Sequence, residues 1–189
     1  LKKELDLLVS QSNRCSDILK KLSLNPKIDD EFLNTNLNLS DYLNEIVRSF
    51  REISTKKFYV NTDNFTNKVN ISKSSEIIYG LRNFVGNANK FSKKKIDILI
   101  ENEKNNTIIK IIDDGNGFPK NLIKSEKLGE PYIRTFDTVN NSKQGLGLGT
   151  FIGKTLLEKN YAIVKFKNLK ELGGAEVKIE WKNSDLKKI

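Results

Sequence analysis

Thr107-Ile108-Ile109-Lys110-Ile111-Ile112-Asp113-Asp114-Gly115-Asn116-Gly117 is the stretch around which the rest of the chain organises itself. Its first six residues are mostly β-branched and apolar, which reads as a short buried strand. The strand runs straight into an acidic pair and two glycines. A carboxylate at that point, Asp113, can accept a hydrogen bond from an exocyclic amine on a flat heterocycle. Gly115 and Gly117 let the backbone bend and let a ring approach without a side chain in the way. Asp-Gly and Asn-Gly are also ordinary turn pairs, so the stretch acquires meaning from its neighbours.

Upstream, Ile96–Ile100 pairs with Thr107–Ile112 across the turn-prone Lys104, Asn105 and Asn106, a hairpin signal. Before it, Ser74 or Ser75 opens a helix carrying Ile78, Leu81, Asn83, Val85, Asn87 and Phe91. Asn83 and Asn87 are four apart and share one helix face. An amide oxygen is a hard donor suited to Mg2+, which keeps several waters and takes further ligands from nucleotide phosphates. Lys90 follows one turn on and brings a cation towards the same phosphates. An isolated Asn pair serves equally well to satisfy local helix contacts. Downstream, residues 118–144 show little regular pattern, the mark of either a functional lid or disorder. Gly145-Leu146-Gly147-Leu148-Gly149 then leads into a helix over Gly149–Lys159, whose free N–H groups and positive end suit phosphate. The dinucleotide fingerprint needs its glycine loop in a strand-helix-strand unit, and Gly153-Lys154-Thr155 lies inside a helix rather than in a phosphate loop. Neither common nucleotide fold fits.

Towards the start, Leu1, Leu5, Leu8, Ser12, Cys15, Leu19 and Leu22 alternate steps of four and three over residues 1–24. That is the seam of a coiled coil or helical bundle, ended by Asn25-Pro26. A connector with Asp29, Asp30 and Glu31 follows. Ser40 is expected to cap a helix to Ile53, with Leu43, Ile46, Val47 and Phe50 on one face. Phe58–Val60 and Val69–Ile71 read as short strands. Tyr161–Phe166 and Ala175–Trp181 read as a closing hairpin around Gly173-Gly174. Strands adjoin one another and helices come between pairs. The fold class is therefore α+β, a mixed or antiparallel sheet with helices on one face.

The chain has 189 residues, 37% hydrophobic and 30% charged, enough for one domain with a real core plus an appendage. It holds no apolar run near the ~20 residues of a membrane helix. Leu1 reads as the middle of a helix, so a longer parent chain is expected. Net charge is +9, but the lysines are scattered among Asp and Glu, which favours a solvated surface over a nucleic-acid patch. One cysteine excludes an internal disulfide framework. Histidine is absent, which removes the usual general base, metal ligand and phosphoacceptor.

The order Asn helix, Asp-x-Gly-x-Gly, Gly-x-Gly-x-Gly resembles the ATP-binding domain of sensor histidine kinases, in the gyrase/Hsp90/histidine kinase/MutL superfamily. The likeness covers about residues 38–182. It implies a two-layer α/β sandwich of the Bergerat type over 38–189, preceded at 1–25 by the second helix of a dimerisation bundle. Residues 10–15, 129–132, 145–152 and 154–158 are similar to the RegB/PrrB-type redox-responsive kinases. By motif position the resemblance implies ATP and Mg2+ as cofactors, with Asn87 as the metal ligand and Asn83 beside it. It implies Lys90 at phosphate, Phe91 near the adenine and Asp113 on the adenine amine, with Gly115 and Gly117 giving clearance. Gly145, Leu146, Gly147, Leu148 and Gly149 border the phosphates beneath a lid bearing Tyr132. It further implies a homodimer through residues 1–24, a cognate response regulator, Cys15 as a redox candidate, and a place on the cytoplasmic side of an inner-membrane sensor; no nucleic acid is expected. The phosphoacceptor histidine belongs on a preceding helix outside this sequence, so no catalytic residue is assigned here. Two departures stand out: Pro131-Tyr132-Ile133 replaces a phenylalanine-rich lid motif, and Thr150-Phe151 stands where Leu-Ala is usual. The alternative is another ATPase or an anti-sigma-type serine kinase of the same superfamily.

Overall fold

A computed structural model describes residues 37–189 apart from 68, 72–73, 126, 132–147 and 170–172. The expectations for the seam helix, Cys15, the dimer interface, Tyr132, Gly145, Leu146 and Gly147 lie outside the described residues. In chain order the elements are β1 (Leu37–Asn38), α1 (Leu39–Arg51), β2 (Lys57–Asn61), β3 (Asn70–Ile71), α2 (Ser75–Phe91), β4 (Lys95–Glu103), β5 (Asn106–Asp113), α3 (Lys120–Lys124), α4 (Gly149–Lys159), β6 (Ile163–Asn168), β7 (Ala175–Lys182) and α5 (Asn183–Leu186).

The cap of α1 differs from expectation. Asn38, not Ser40, is the N-cap: its side chain accepts the N–H groups of Ser40 and Asp41, and the Asp41 carboxylate accepts the Asn38 N–H at 3.0 Å. Ser and Asn cap about equally well, so the acid three residues after Asn38 decides the start by closing a reciprocal box. Ser74 caps α2 by accepting the Ile77 N–H. The short helices α3 and α5 have too few residues to show a period. The second is held by tertiary contacts: Asn183 accepts from the buried Thr107 hydroxyl at 2.7 Å, its N–H reaches Asn105 O at 2.8 Å, and Leu186 is buried.

The main sheet runs β2-β4-β5-β7-β6, with β2 and β4 parallel and every other pair antiparallel; β1 and β3 form a small separate ladder. Register places Ile98, Ile111, Val177 and Phe166 side by side on one face. Every second strand residue points the same way, so Ile96, Ile98, Ile100, Ile109, Ile111, Ile179 and Trp181 are all buried there. The helices cover that face. Phe50 of α1 stacks on Phe58 at 6.3 Å, Phe84 of α2 meets Phe166 at 5.9 Å, and the Trp181 indole donates to Asn160 O beyond α4. The opposite face carries Lys110 paired with Glu101, Lys167 with Glu176 and Lys178 with Glu180. This is the expected two-layer α+β sandwich with a mixed sheet and helices on one side.

Two glycines set how close α2 and α4 come. A Cβ at Gly80 would lie 2.6 Å from Leu157 Cγ, and one at Gly153 would lie 3.1 Å from Asn83 Cβ. The close approach brings the start of α4 onto the Asn83/Asn87 face of α2.

Candidate functional site

Period-two alternation along β5 puts Ile111 and Asp113 on the buried face, so the strand ends by delivering a carboxylate into the layer between sheet and helices. An open pocket of about 710 Å³ lies there. Phe84, Ala88 and Phe91 of α2, Ile111, Phe166 and Val177 make it apolar, while Asn87, Asp113, Asn116 and Thr150 supply polar groups; Gly117, Phe118 and Ala175 complete it. An apolar cleft with a few convergent polar atoms is the usual form of a small-molecule site.

The two adjacent acids have opposite environments. Asp113 is 8% exposed, and burial pushes its carboxyl above the usual carboxylate range, although Gly115 and Ala175 N–H groups donate to it. Its Oδ1 accepts the Gly115 N–H at 2.8 Å. Burial would raise Asp114 as well, but the N–H groups of Lys94, Lys95 and Lys93 outweigh it and hold that carboxyl low. Asp114 thereby ties the loop to the turn after α2, with Lys93 N–H at 2.7 Å. Asp113 faces the pocket and Asp114 secures the loop.

The two loop glycines are required first by the protein itself. A Cβ at Gly115 would sit 2.4 Å from the Phe91 carbonyl oxygen, so the loop packs directly on the end of α2. Gly117 has φ +77, and a Cβ there would meet Asn168 Oδ1 at 2.6 Å. Gly117 still lines the pocket, whereas Gly115 does not.

Asn83 and Asn87 lie together beneath the start of α4. Asn83 Nδ2 donates to Tyr79 O at 2.8 Å, and Asn87 Nδ2 to the Thr150 hydroxyl at 3.3 Å. Their Oδ1 atoms lie 3.4 and 3.6 Å from the position a Cβ would take on Gly149. Leu148 is the N-cap of α4 and makes no side-chain cap, so the first N–H groups of this helix remain for an outside acceptor. Lys90 is exposed, with Nζ 5.2 Å above the Phe91 ring, and lies outside the pocket wall; Phe91 is in it. Thr150, Phe84, Asn116, Phe118 and Phe166 join the site without having been singled out for it. Phe84 and Phe166 carry an ordinary core pattern, and in the sequence Thr150 stands out only as a departure from Leu-Ala.

The family model described as "Histidine kinase-, DNA gyrase B-, and HSP90-like ATPase" matches residues 73–184. Sensor histidine kinase RegB of Cereibacter sphaeroides is 29% identical over 180 residues, which is 89% of this chain and 37% of that protein. The chain thus spans little more than a third of the curated relative's length. Among solved structures, a mycobacterial sensor histidine kinase, MprB, superposes with a TM-score of 0.65 at 17% identity, covering 77% of this chain and 96% of that one. The catalytic domain of histidine kinase ThkA superposes at 0.63 with 22% identity, covering 80% and 97%.

Proposed function

The chain belongs to the histidine kinase-, DNA gyrase B- and HSP90-like ATPase family, and from that premise we propose that residues 38–189 are the catalytic ATP-binding domain of a two-component sensor histidine kinase. The observation that carries this reading is Asp113, a buried carboxylate at the edge of an apolar cleft, on the same pocket wall as Asn87 of the amide-bearing helix. The carboxylate accepts the adenine amine, and the apolar wall with Phe91 shields the ring from water. Phosphates then reach the start of α4, where uncapped N–H groups and the helix dipole favour negative charge. By motif position we assign Gly145, Leu146, Gly147, Leu148 and Gly149 to the phosphates, Tyr132 to the lid, and Lys90, which stands exposed over the Phe91 ring, to a phosphate contact.

The donor set fits Mg2+: both Asn amides direct hydrogen-bond donors to protein acceptors, and a hard oxygen on Asn87 remains. Bound there, the ion would neutralise charge on the phosphates. Asn87 orients the phosphate chain, with Asn83 beside it.

In the parent protein, the γ-phosphoryl passes to a histidine on an upstream helix and then to an aspartate of a response regulator. Residues 1–24 pair two copies into a homodimer, and Cys15 in that seam is a redox candidate. The described helices include none long and apolar enough to cross a membrane; the RegB likeness supports a cytoplasmic region of an inner-membrane sensor. Isothermal calorimetry with ATP tests the site. Binding strengthened by Mg2+ is expected, and Asn87→Ala should weaken the Mg2+-dependent part about tenfold, roughly 1.4 kcal/mol. Equal affinity with and without the ion would remove Asn87 from its role.

A further inference from the structure

Asn168, the last residue of β6, directs its whole side-chain amide at one residue of the loop after β5. Its Oδ1 accepts the Phe118 N–H at 2.7 Å, and its Nδ2 donates to Phe118 O at 2.8 Å. A neighbouring strand would satisfy a backbone in this two-point way, and here a single amide does so across 50 residues of sequence. The surroundings are tight. The Asn168 amide occupies the space a side chain on Gly117 would need, and Gly174, at φ +94 in the turn before β7, lies so close to the end of β5 that a Cβ would fall 1.9 Å from the Asp113 carbonyl oxygen. Phe118 in turn lines the pocket and meets Phe166, another wall residue, edge-on at 5.6 Å and 78°. Asn168 is not itself in the wall.

We propose that Asn168 is a positioning residue for base recognition: by holding both backbone polar groups of Phe118, it fixes the aromatic wall that shares the cleft with Asp113. The proposal rests on the nucleotide reading above. Phe118 follows the strand end and precedes Pro119, so it has no ladder partner of its own. Without the amide its N–H and carbonyl would seek water or rearrange, carrying the ring with them. A wall displaced by a fraction of an ångström still encloses a cleft, yet no longer fits a flat ring beside a fixed carboxylate. Asn168 therefore acts on affinity through Phe118, rather than through any contact with the ligand.

A double-mutant cycle on the 189-residue chain tests this, with ADP affinity read by calorimetry and folding by thermal melting. Asn168→Ala should weaken ADP binding about tenfold in the native background. In a Phe118→Ala background the same change should alter affinity less than twofold, because the ring it positions is gone. Asn168→Asp keeps the acceptor for the Phe118 N–H and loses the donor to its carbonyl. It is the variant to use if Asn168→Ala melts below the assay temperature, and the same non-additivity is expected of it. Equal losses in both backgrounds, or no loss in the native one, would overturn the proposal and leave Asn168 a packing residue. If the unmodified chain fails to bind ADP at all, the nucleotide reading itself falls, a result distinct from either of those.

Discussion

Asp113 and Asp114 show what one residue's surroundings do to identical chemistry. Asp113 ends β5 and Asp114 follows it directly, but one carboxylate is buried beside apolar side chains and the other has its charge stabilised by the backbone N–H groups of Lys93, Lys94 and Lys95. Burial raises the folded-state pKa of Asp113 above its unfolded value. The folded chain therefore binds that proton more tightly than the unfolded chain. The stability it contributes is full below the unfolded pKa and is lost as pH rises through the folded one. Wherever that carboxyl is ionised in the folded chain, its burial is a cost of holding a binding group in place. Asp113→Asn keeps an acceptor for the Gly115 N–H and removes the charge. It should reduce ATP affinity by about a hundredfold, from the typical strength of a charged hydrogen bond, while the thermal midpoint at pH 7 holds or rises. The stability gap between mutant and native protein should widen as pH climbs from the unfolded carboxylate range towards neutral. An unchanged affinity would remove Asp113 from base recognition. Native affinity should likewise fall on acidification, as protonation removes the charge and turns one acceptor oxygen into a donor.

At the scale of elements, the site depends on α2 and α4 lying nearly in backbone contact. Gly80 faces Leu157, which is fully buried and cannot swing into solvent. Gly80→Ala gains about 1 kcal/mol of helix propensity, while overpacking a tight core costs about 1–3 kcal/mol. Because the clash is well inside contact distance, the cost should prevail. A net loss near 1 kcal/mol would lower the melting temperature by about 2–4 °C for a domain of this size. Since α4 carries Gly149 and Thr150 over the two Asn oxygens, ADP affinity should drop with it. A melting temperature that rises would mean the helices have room to separate. The elements themselves are largely legible: α2 and α4 emerge almost to the residue, and the central hairpin emerges with β4 three residues short at Ile100 instead of Glu103. The cap of α1 was misplaced by two positions, because Asn38 and Ser40 are both good caps and the discriminating feature is Asp41. The helices α3 and α5 were not legible at all, since four or five residues cannot display a 3.6-residue period.

For the whole molecule, the +9 net charge raises the question of a nucleic-acid partner. On the face turned away from the helices, Lys110, Lys167 and Lys178 each stand against a glutamate. A duplex needs a continuous strip of uncompensated cations. We expect no binding of duplex DNA by fluorescence anisotropy at 150 mM salt, under conditions where ATP still binds. Tight association falling steeply with added salt would reverse that reading. The sequence by itself determined the fold class, the strand ending in Asp113 and the shared face of Asn83 and Asn87, because each follows from local periodicity and residue chemistry. Only the tertiary structure decided that Gly115 and Gly117 make room for Phe91 and Asn168, and that Thr150, Phe118 and Phe166 complete the cleft. Those are meetings between residues tens of positions apart, set by the sheet order and by helix packing, and no short stretch of sequence carries them.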